Sequence, residues 1–267
     1  RSLPADLPFY CFEDKGIDGS TPFESMEEAA RCYIDEIRQV QPHGPYYLGG
    51  SCYGGIVAFE MARRLEELGE PVAALVLIDA LNPAFVRSLS RGQRWLRNLQ
   101  FYTRRTVWHA RRIFTRPPGE WLGYMSGPLK HFRDDMLDPA KALASHDEEM
   151  VSSIASNPIG EILKRTMRAN LAARRKFEPK PYNGSALLFR ASGRSRYQYD
   201  DRCLGWGSVV RGGVECCEIE VEHESILDQP AVQLVAEKLD AKLKELAIET
   251  KEVCVFRAVE NQHAIAV

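Results

Sequence analysis

The sequence predicts an α/β fold: a mostly parallel central sheet with helices on both faces, interrupted by a helical insertion. Three observations predict it. Val72 to Ile78 is a near-continuous apolar run of the kind buried on both sides of a parallel sheet. Over the first 83 residues, strand-like segments alternate with segments of helical periodicity, the rhythm of right-handed crossover units. Finally, Gly50-Ser51-Cys52-Tyr53-Gly54-Gly55 stands between an apolar run ending Tyr46-Tyr47-Leu48 and a helix-like run beginning Ile56-Val57-Ala58-Phe59. Strand, tight turn and helix follow one another there without a spacer.

The elements follow in order. Leu7-Pro8-Phe9-Tyr10-Cys11-Phe12 reads as a buried strand closed by Asp14-Lys15-Gly16. Ser25 with Glu28 forms a capping box, after which Ala30, Tyr33, Ile34, Ile37 and Val40 share one helical face. Gly44-Pro45 breaks the chain before the next strand, and the helix beyond the glycines stops near Leu68 at Gly69. After Pro83 the rhythm changes: residues 84–178 hold helical segments cut by Pro117-Pro118, Pro128, Pro139 and Pro158, with no clear strand. Strands resume at Ser185 to Phe189 and at Val214 to Val221, and a last helix runs from Pro230 to about Leu246. The division expected is a core of residues 1–83 and 179–246, a lid of residues 84–178, and a tail, 247–267, to which the pattern assigns no structure.

Composition narrows the function classes. The 267 residues are 45% hydrophobic and 27% charged, enough for a large core under a soluble surface. A formal net charge of -2 argues against nucleic acid as partner. No run of eighteen apolar residues occurs, so no membrane-spanning helix is expected. The N-terminal residues carry no signal-peptide h-region. Seven cysteines, none in C-x-x-C spacing, fit reduced thiols of a cytoplasmic protein without a metal site or disulfide framework. Cys11 and Cys32 are read as small buried hydrophobes.

The chemistry starts at the turn. A nucleophile held in a strained strand-to-helix turn needs residues without a bulky Cβ two positions before and two after it. Centred on Ser51, the pattern fails at Tyr53; centred on Cys52, it finds Gly50 and Gly54, with Gly55 letting the helix pack close. Cys52 is therefore the expected nucleophile, and the backbone N–H of Tyr53 the expected oxyanion donor. A thiol nucleophile needs a base and a group that orients the base. Asp79 ends the run Leu75-Val76-Leu77-Ile78, at the edge where active-site groups of parallel sheets collect. His223 follows the last strand-like run and reaches the same edge. Asp200 and Asp201, beyond the Leu187-Leu188-Phe189 strand, are rivals for the acid, and a lone Asp at a strand end also serves as a turn cap. His43 lies in a Pro-Gly turn, His109, His131 and His146 in the insertion, and His263 in the tail.

These residues carry a family resemblance. Phe9-Tyr10 to Gly16-Ile17-Asp18-Gly19, Gly44-Pro45-Tyr46-Tyr47-Leu48-Gly49-Gly50 and Val57-Ala58-Phe59-Glu60-Met61-Ala62 resemble the type I thioesterase domains of polyketide synthases and nonribosomal peptide synthetases. Pro181-Tyr182-Asn183-Gly184, Leu188-Phe189-Arg190-Ala191, Leu204-Gly205-Trp206 and His223 continue the likeness, which spans about residues 7–83 and 170–245. The resemblance implies an α/β-hydrolase core with a mobile helical lid and no cofactor of its own. It also implies an acyl substrate carried on the phosphopantetheine of an acyl or peptidyl carrier protein in the same polypeptide or assembly line. By position it assigns the triad to Cys52, Asp79 and His223, and so favours Asp79 over Asp200 and Asp201.

Two departures shape the expectation. Most relatives use serine where Cys52 stands, so the expected acyl-enzyme is a thioester. It stays open to amines as well as water, and release can end in hydrolysis, cyclisation or aminolysis. The family's early strand and His-Pro-x-Gly-Gly-like loop, which supplies half of the oxyanion hole, have no counterpart here, so the chain reads as an N-terminally truncated piece with only the Tyr53 donor. Losing one such donor typically costs about 100- to 1000-fold in rate. An improvised partner is expected beside the early strand, with Val253-Cys254-Val255-Phe256 the candidate. Nine arginines between Arg87 and Arg116, with no acid among them, form either the solvated face of lid helices or a docking surface for phosphate and an acidic carrier. Rival functions are a general carboxylesterase or dienelactone-type hydrolase on free small molecules, and a non-catalytic carrier-binding module.

Overall fold

Apolar runs become the strands of one sheet, and the two faces of each run supply two separate cores. The computed structural model describes residues 8–88, 90, 92–93, 148, 150–192, 201–247 and 255–258. In chain order the elements are β1 (Phe9–Phe12), α1 (Met26–Val40), β2 (Tyr46–Ser51), α2 (Tyr53–Glu67), β3 (Val72–Ile78) and α3 (Pro83–Ser88). They continue with α4 (Pro158–Lys176), β4 (Ala186–Ala191), β5 (Val214–Ile219), α5 (Ala231–Ala247) and β6 (Val255–Ala258). The strand order is β1-β6-β2-β3-β4-β5, and every pair is parallel. This is the α/β-hydrolase type of sheet that the sequence predicts.

Period-two alternation sorts the strand residues between the cores. Tyr46, Leu48, Leu75, Leu77 and Leu188 join Ile34 and Ile37 of α1 and Ile56 and Phe59 of α2. Tyr47, Val76, Ile78, Leu187 and Phe189 join Val235, Leu239 and Leu243 of α5 on the other face. A near-continuous apolar run is what such two-sided burial demands. On α2, Arg63 grips Glu60 with two hydrogen bonds of 2.8 and 2.7 Å, and Arg64 adds a third at 2.7 Å. Glu60 and Arg63 are both buried, and the hydrogen bonding from Glu60 holds the Arg63 guanidinium above its ordinary pKa.

Several expectations need correction. The first strand is not buried: Phe9 and Tyr10 are 40% and 39% exposed, because among the described residues β1 is an edge strand paired with β6 alone. For the same reason Cys11 is exposed, and Cys32 on α1 is only half-buried. The Ser25 side chain does cap α1 by accepting from Glu28 N at 3.1 Å, but the Glu28 carboxylate accepts from Glu24 N, one residue earlier than a capping box requires. The last sheet strand before His223 ends at Ile219 rather than Val221.

The tail does take a place in the sheet. β6 lies between β1 and β2, with Val255 level with Phe9 on one side and with Tyr47 on the other. Its end, Ala258, is level with Gly50, so β6 finishes at the edge that carries the Gly50–Gly55 turn. Among the described residues of the interval 84–178, every regular element is helical, α3 and α4 among them; residues 94–147 lie outside the described set. No helix among the described residues is long and apolar enough to cross a membrane.

Candidate active site

Three strand ends and one turn build the site. β2 runs directly into α2 through Cys52, whose φ of 49° and ψ of -113° fall outside the usual regions for a residue with a Cβ. Its N–H is fixed by Ile78 O at 2.9 Å, and Ser51 remains a ladder residue level with Ile78. The turn is tight enough that a Cβ on Gly50 would run into the backbone of Gly54, and one on Gly55 would lie 2.5 Å from Ala80 Cβ. Tyr53 and Gly54 open α2, so the first N–H groups of that helix stand at the turn. Cys52, not Ser51, occupies the positive-φ position.

Asp79 follows β3 and is also strained, with φ of 45° and no exposure to solvent. Its N–H donates to Phe189 O at 2.7 Å, and its Oδ1 accepts from Ala191 N at 3.2 Å. Oδ2 lies 2.5 Å from Nδ1 of His223, which opens a short 3-10 turn (His223–Ser225) beyond β5. The rival acid is engaged elsewhere. Asp201 accepts from Cys203 N at 2.8 Å and from Gly205 N at 2.9 Å, closing a turn. Asp200 lies outside the described residues. His43 bonds Glu70 at 3.1 Å on the exposed far side, while His109, His131, His146 and His263 also lie outside the described set.

A brace around Asp79 has little signature in the sequence patterns. Trp206 Nε1 donates to Ala80 O at 2.7 Å, while Asn82 bonds Leu204 O through its N–H at 3.0 Å and Gly205 O through Nδ2 at 2.9 Å. Trp206 also packs on Phe59 of α2, with ring centroids 4.6 Å apart, so one indole touches both the helix behind Cys52 and the turn behind Asp79. Cys52, Asp79 and Leu204 are the non-glycine residues with positive φ among those described, and all belong to this cluster. Strain of this kind persists only where the surroundings over-determine it. The one available signal is Leu204-Gly205-Trp206 itself, but nothing local says what an indole 126 residues from Ala80 will bond.

Of the arginine run, Arg87 is tied to the end of α4, bonding Arg175 O and Glu178 at 2.8 and 2.7 Å as well as Phe177 O. Arg91 and the run from Arg94 to Arg116 lie outside the described residues. Among the described residues, no group of three or more His, Cys, Asp or Glu is arranged to hold a metal ion.

A parallel sheet with a strained thiol beyond β2, and an Asp-His pair beyond β3 and β5, has the arrangement of the α/β-hydrolase fold. The family model for the thioesterase domain matches residues 1–243, and the chain belongs to that family. It is 28% identical over 250 residues to malpinin synthetase of Mortierella alpina, covering 91% of this chain and 3% of the synthetase. It is 30% identical over 238 residues to the non-reducing polyketide synthase ntnG of a Nectria species, covering 86% of this chain and 11% of the synthase. The chain thus spans only a small part of these relatives. The NocB thioesterase domain from the nocardicin cluster superposes with a TM-score of 0.53 at 20% identity, over 87% of this chain and 80% of that one, a likeness of fold.

Proposed function

We propose that this domain releases an acyl, polyketide or peptidyl chain from the phosphopantetheine arm of a carrier protein through a thioester on Cys52. The observation that carries the reading is the 2.5 Å contact of His223 Nδ1 with Asp79, in a chain whose elbow position is Cys52. With Nδ1 engaged by Asp79, His223 exchanges a proton with the thiol through Nε2. The thiolate attacks the carrier thioester, and the oxyanion is met by the Tyr53 N–H at the start of α2. The C–S bond to pantetheine breaks, and His223 returns a proton to the departing thiolate. A water, hydroxyl or amine then attacks the Cys52 thioester while His223 accepts its proton, and Cys52 leaves as the thiolate.

Exchange of one thioester for another is close to thermoneutral, so the acyl group remains activated on the enzyme. That is the chemical gain of cysteine over serine here, because an amine acceptor reacts readily with a thioester. Similarity to malpinin synthetase and to a non-reducing polyketide synthase, each far longer than the matched segment, supports a carrier protein as the partner in the same polypeptide or assembly line.

Intact-mass spectrometry after incubation with an acyl-pantetheine thioester tests the reading. An acyl adduct mapped to Cys52 is expected, lost in Cys52→Ala and retained in Ser51→Ala. An adduct that survives Cys52→Ala, or no adduct alongside rapid turnover of free esters, defeats it.

A further inference from the structure

Cys203 and Cys216 lie outside the catalytic groups but on the frame that holds them. Cys203 belongs to the turn that Asp201 closes; its carbonyl accepts from Trp206 N at 3.0 Å, and the next two carbonyls, of Leu204 and Gly205, hold Asn82. Cys216 sits on β5, level with Leu188 of β4, and packs against the core layer shared with α1 and α2. The two Sγ atoms are 3.1 Å apart, although 13 residues separate them in the chain. A disulfide needs about 2.04 Å between sulfurs, so an approach of about 1 Å suffices. Cys217, next along β5, packs against the opposite core layer.

We propose that Cys203 and Cys216 form a dithiol modification site, which hydrogen peroxide oxidises to an intramolecular disulfide. The bond ties the turn bracing Asp79 to the strand leading to His223. Cys203 reacts first: its sulfur attacks the peroxide, the O–O bond breaks, and a sulfenic acid and water form. The Cys216 sulfur then attacks the sulfenic sulfur, the S–O bond breaks, and the hydroxyl leaves as a second water with the thiol proton. Two thiols are oxidised and one peroxide reduced, with two waters as the by-product. Cys216, on a paired strand packed against the core, takes the second step, and burial, then the neighbouring Cys203, push its thiol up. The part due to Cys203 vanishes once that sulfur is oxidised. This assignment stands apart from the acyl-transfer reading, because neither sulfur touches the catalytic groups proposed above.

The test is stoichiometric hydrogen peroxide on the intact chain, then alkylation, intact mass and peptide mapping. Expected are loss of two hydrogens, loss of two alkylatable thiols, and a cross-linked peptide pair holding Cys203 and Cys216. The melting temperature should rise by roughly 5–10 °C, since the bond closes a loop of this length in the unfolded chain, and should fall back with dithiothreitol. Cys203→Ser and Cys216→Ser should each abolish the cross-link, and Cys217→Ser should leave it. If either serine variant fails to fold, the peptide map of the unaltered chain decides. Oxygen addition without a cross-link, or a bridge that includes Cys217 or Cys52, overturns the assignment.

Discussion

Replacing Asp79 with asparagine tests the Asp-His pair with almost no change of shape. The carboxylate does two things: Oδ1 accepts from Ala191 N at 3.2 Å and Oδ2 engages His223 Nδ1 at 2.5 Å. An amide has one oxygen, and the Ala191 N–H can only donate, so the oxygen stays on that side. The amide nitrogen then faces Nδ1 and forces it to accept, which moves the imidazole proton to Nε2. In the proposed mechanism that is the nitrogen that takes the proton from Cys52. The wrong tautomer in comparable triads lowers turnover by about 10,000-fold, roughly 5 kcal/mol of transition-state stabilisation. The assay is kcat/KM on an acyl-pantetheine thioester, with the melting temperature measured in parallel. A loss below about tenfold with unchanged melting would refute the role given to Asp79. Asp201→Asn supplies the contrast: both Asp201 oxygens accept backbone N–H groups, so its cost should fall on melting temperature rather than turnover.

Other outcomes follow from the frame. Glu60→Ala leaves a buried Arg63 with only the exposed Glu67 beside it; a loss of about 3 kcal/mol is expected by denaturant titration, and Glu60→Met with Arg63→Met should recover most of it. No loss in the single variant would show that the pair is dispensable. Burial raises the Asp14 carboxyl above its ordinary pKa, against the smaller opposing effect of its hydrogen bond to Asn170. The folded state therefore holds that proton more tightly than the unfolded chain, and stability falls as pH rises from the unfolded value to the folded one. Asp14→Asn should flatten the melting temperature across that interval, and an unchanged slope would contradict the assignment. Deleting residues 248–267 removes β6 and with it the strand that β1 pairs with, so limited proteolysis should cut near β1 and the soluble yield should drop. Unaltered proteolysis and melting would mean that β6 adds nothing to the sheet.

What the sequence determines here is whatever depends on neighbours along the chain. The register of the elbow is such a case: Gly50 and Gly54 are needed within two residues of Cys52, so Ser51 is excluded by local geometry alone. The two-sided burial of β3 and the stop of α2 before Gly69, whose φ is 74°, are equally local. The choice between Asp79 and Asp201 was not. Both follow apolar runs, and only the sheet order brings one against His223 while the other closes a turn. β-favouring residues marked Val253 to Phe256 as a candidate partner for the early strand, but only tertiary structure decided that β1 is an exposed edge among the described residues and that residues 255–258 pair with both β1 and β2. Parallel pairing joins segments more than two hundred residues apart through backbone groups that every residue carries, so residue preference suggests a strand but not its neighbours or register. The indole of Trp206 on Ala80 and the sulfurs of Cys203 and Cys216 came together in the same way, set by how the sheet closes rather than by any spacing along the chain.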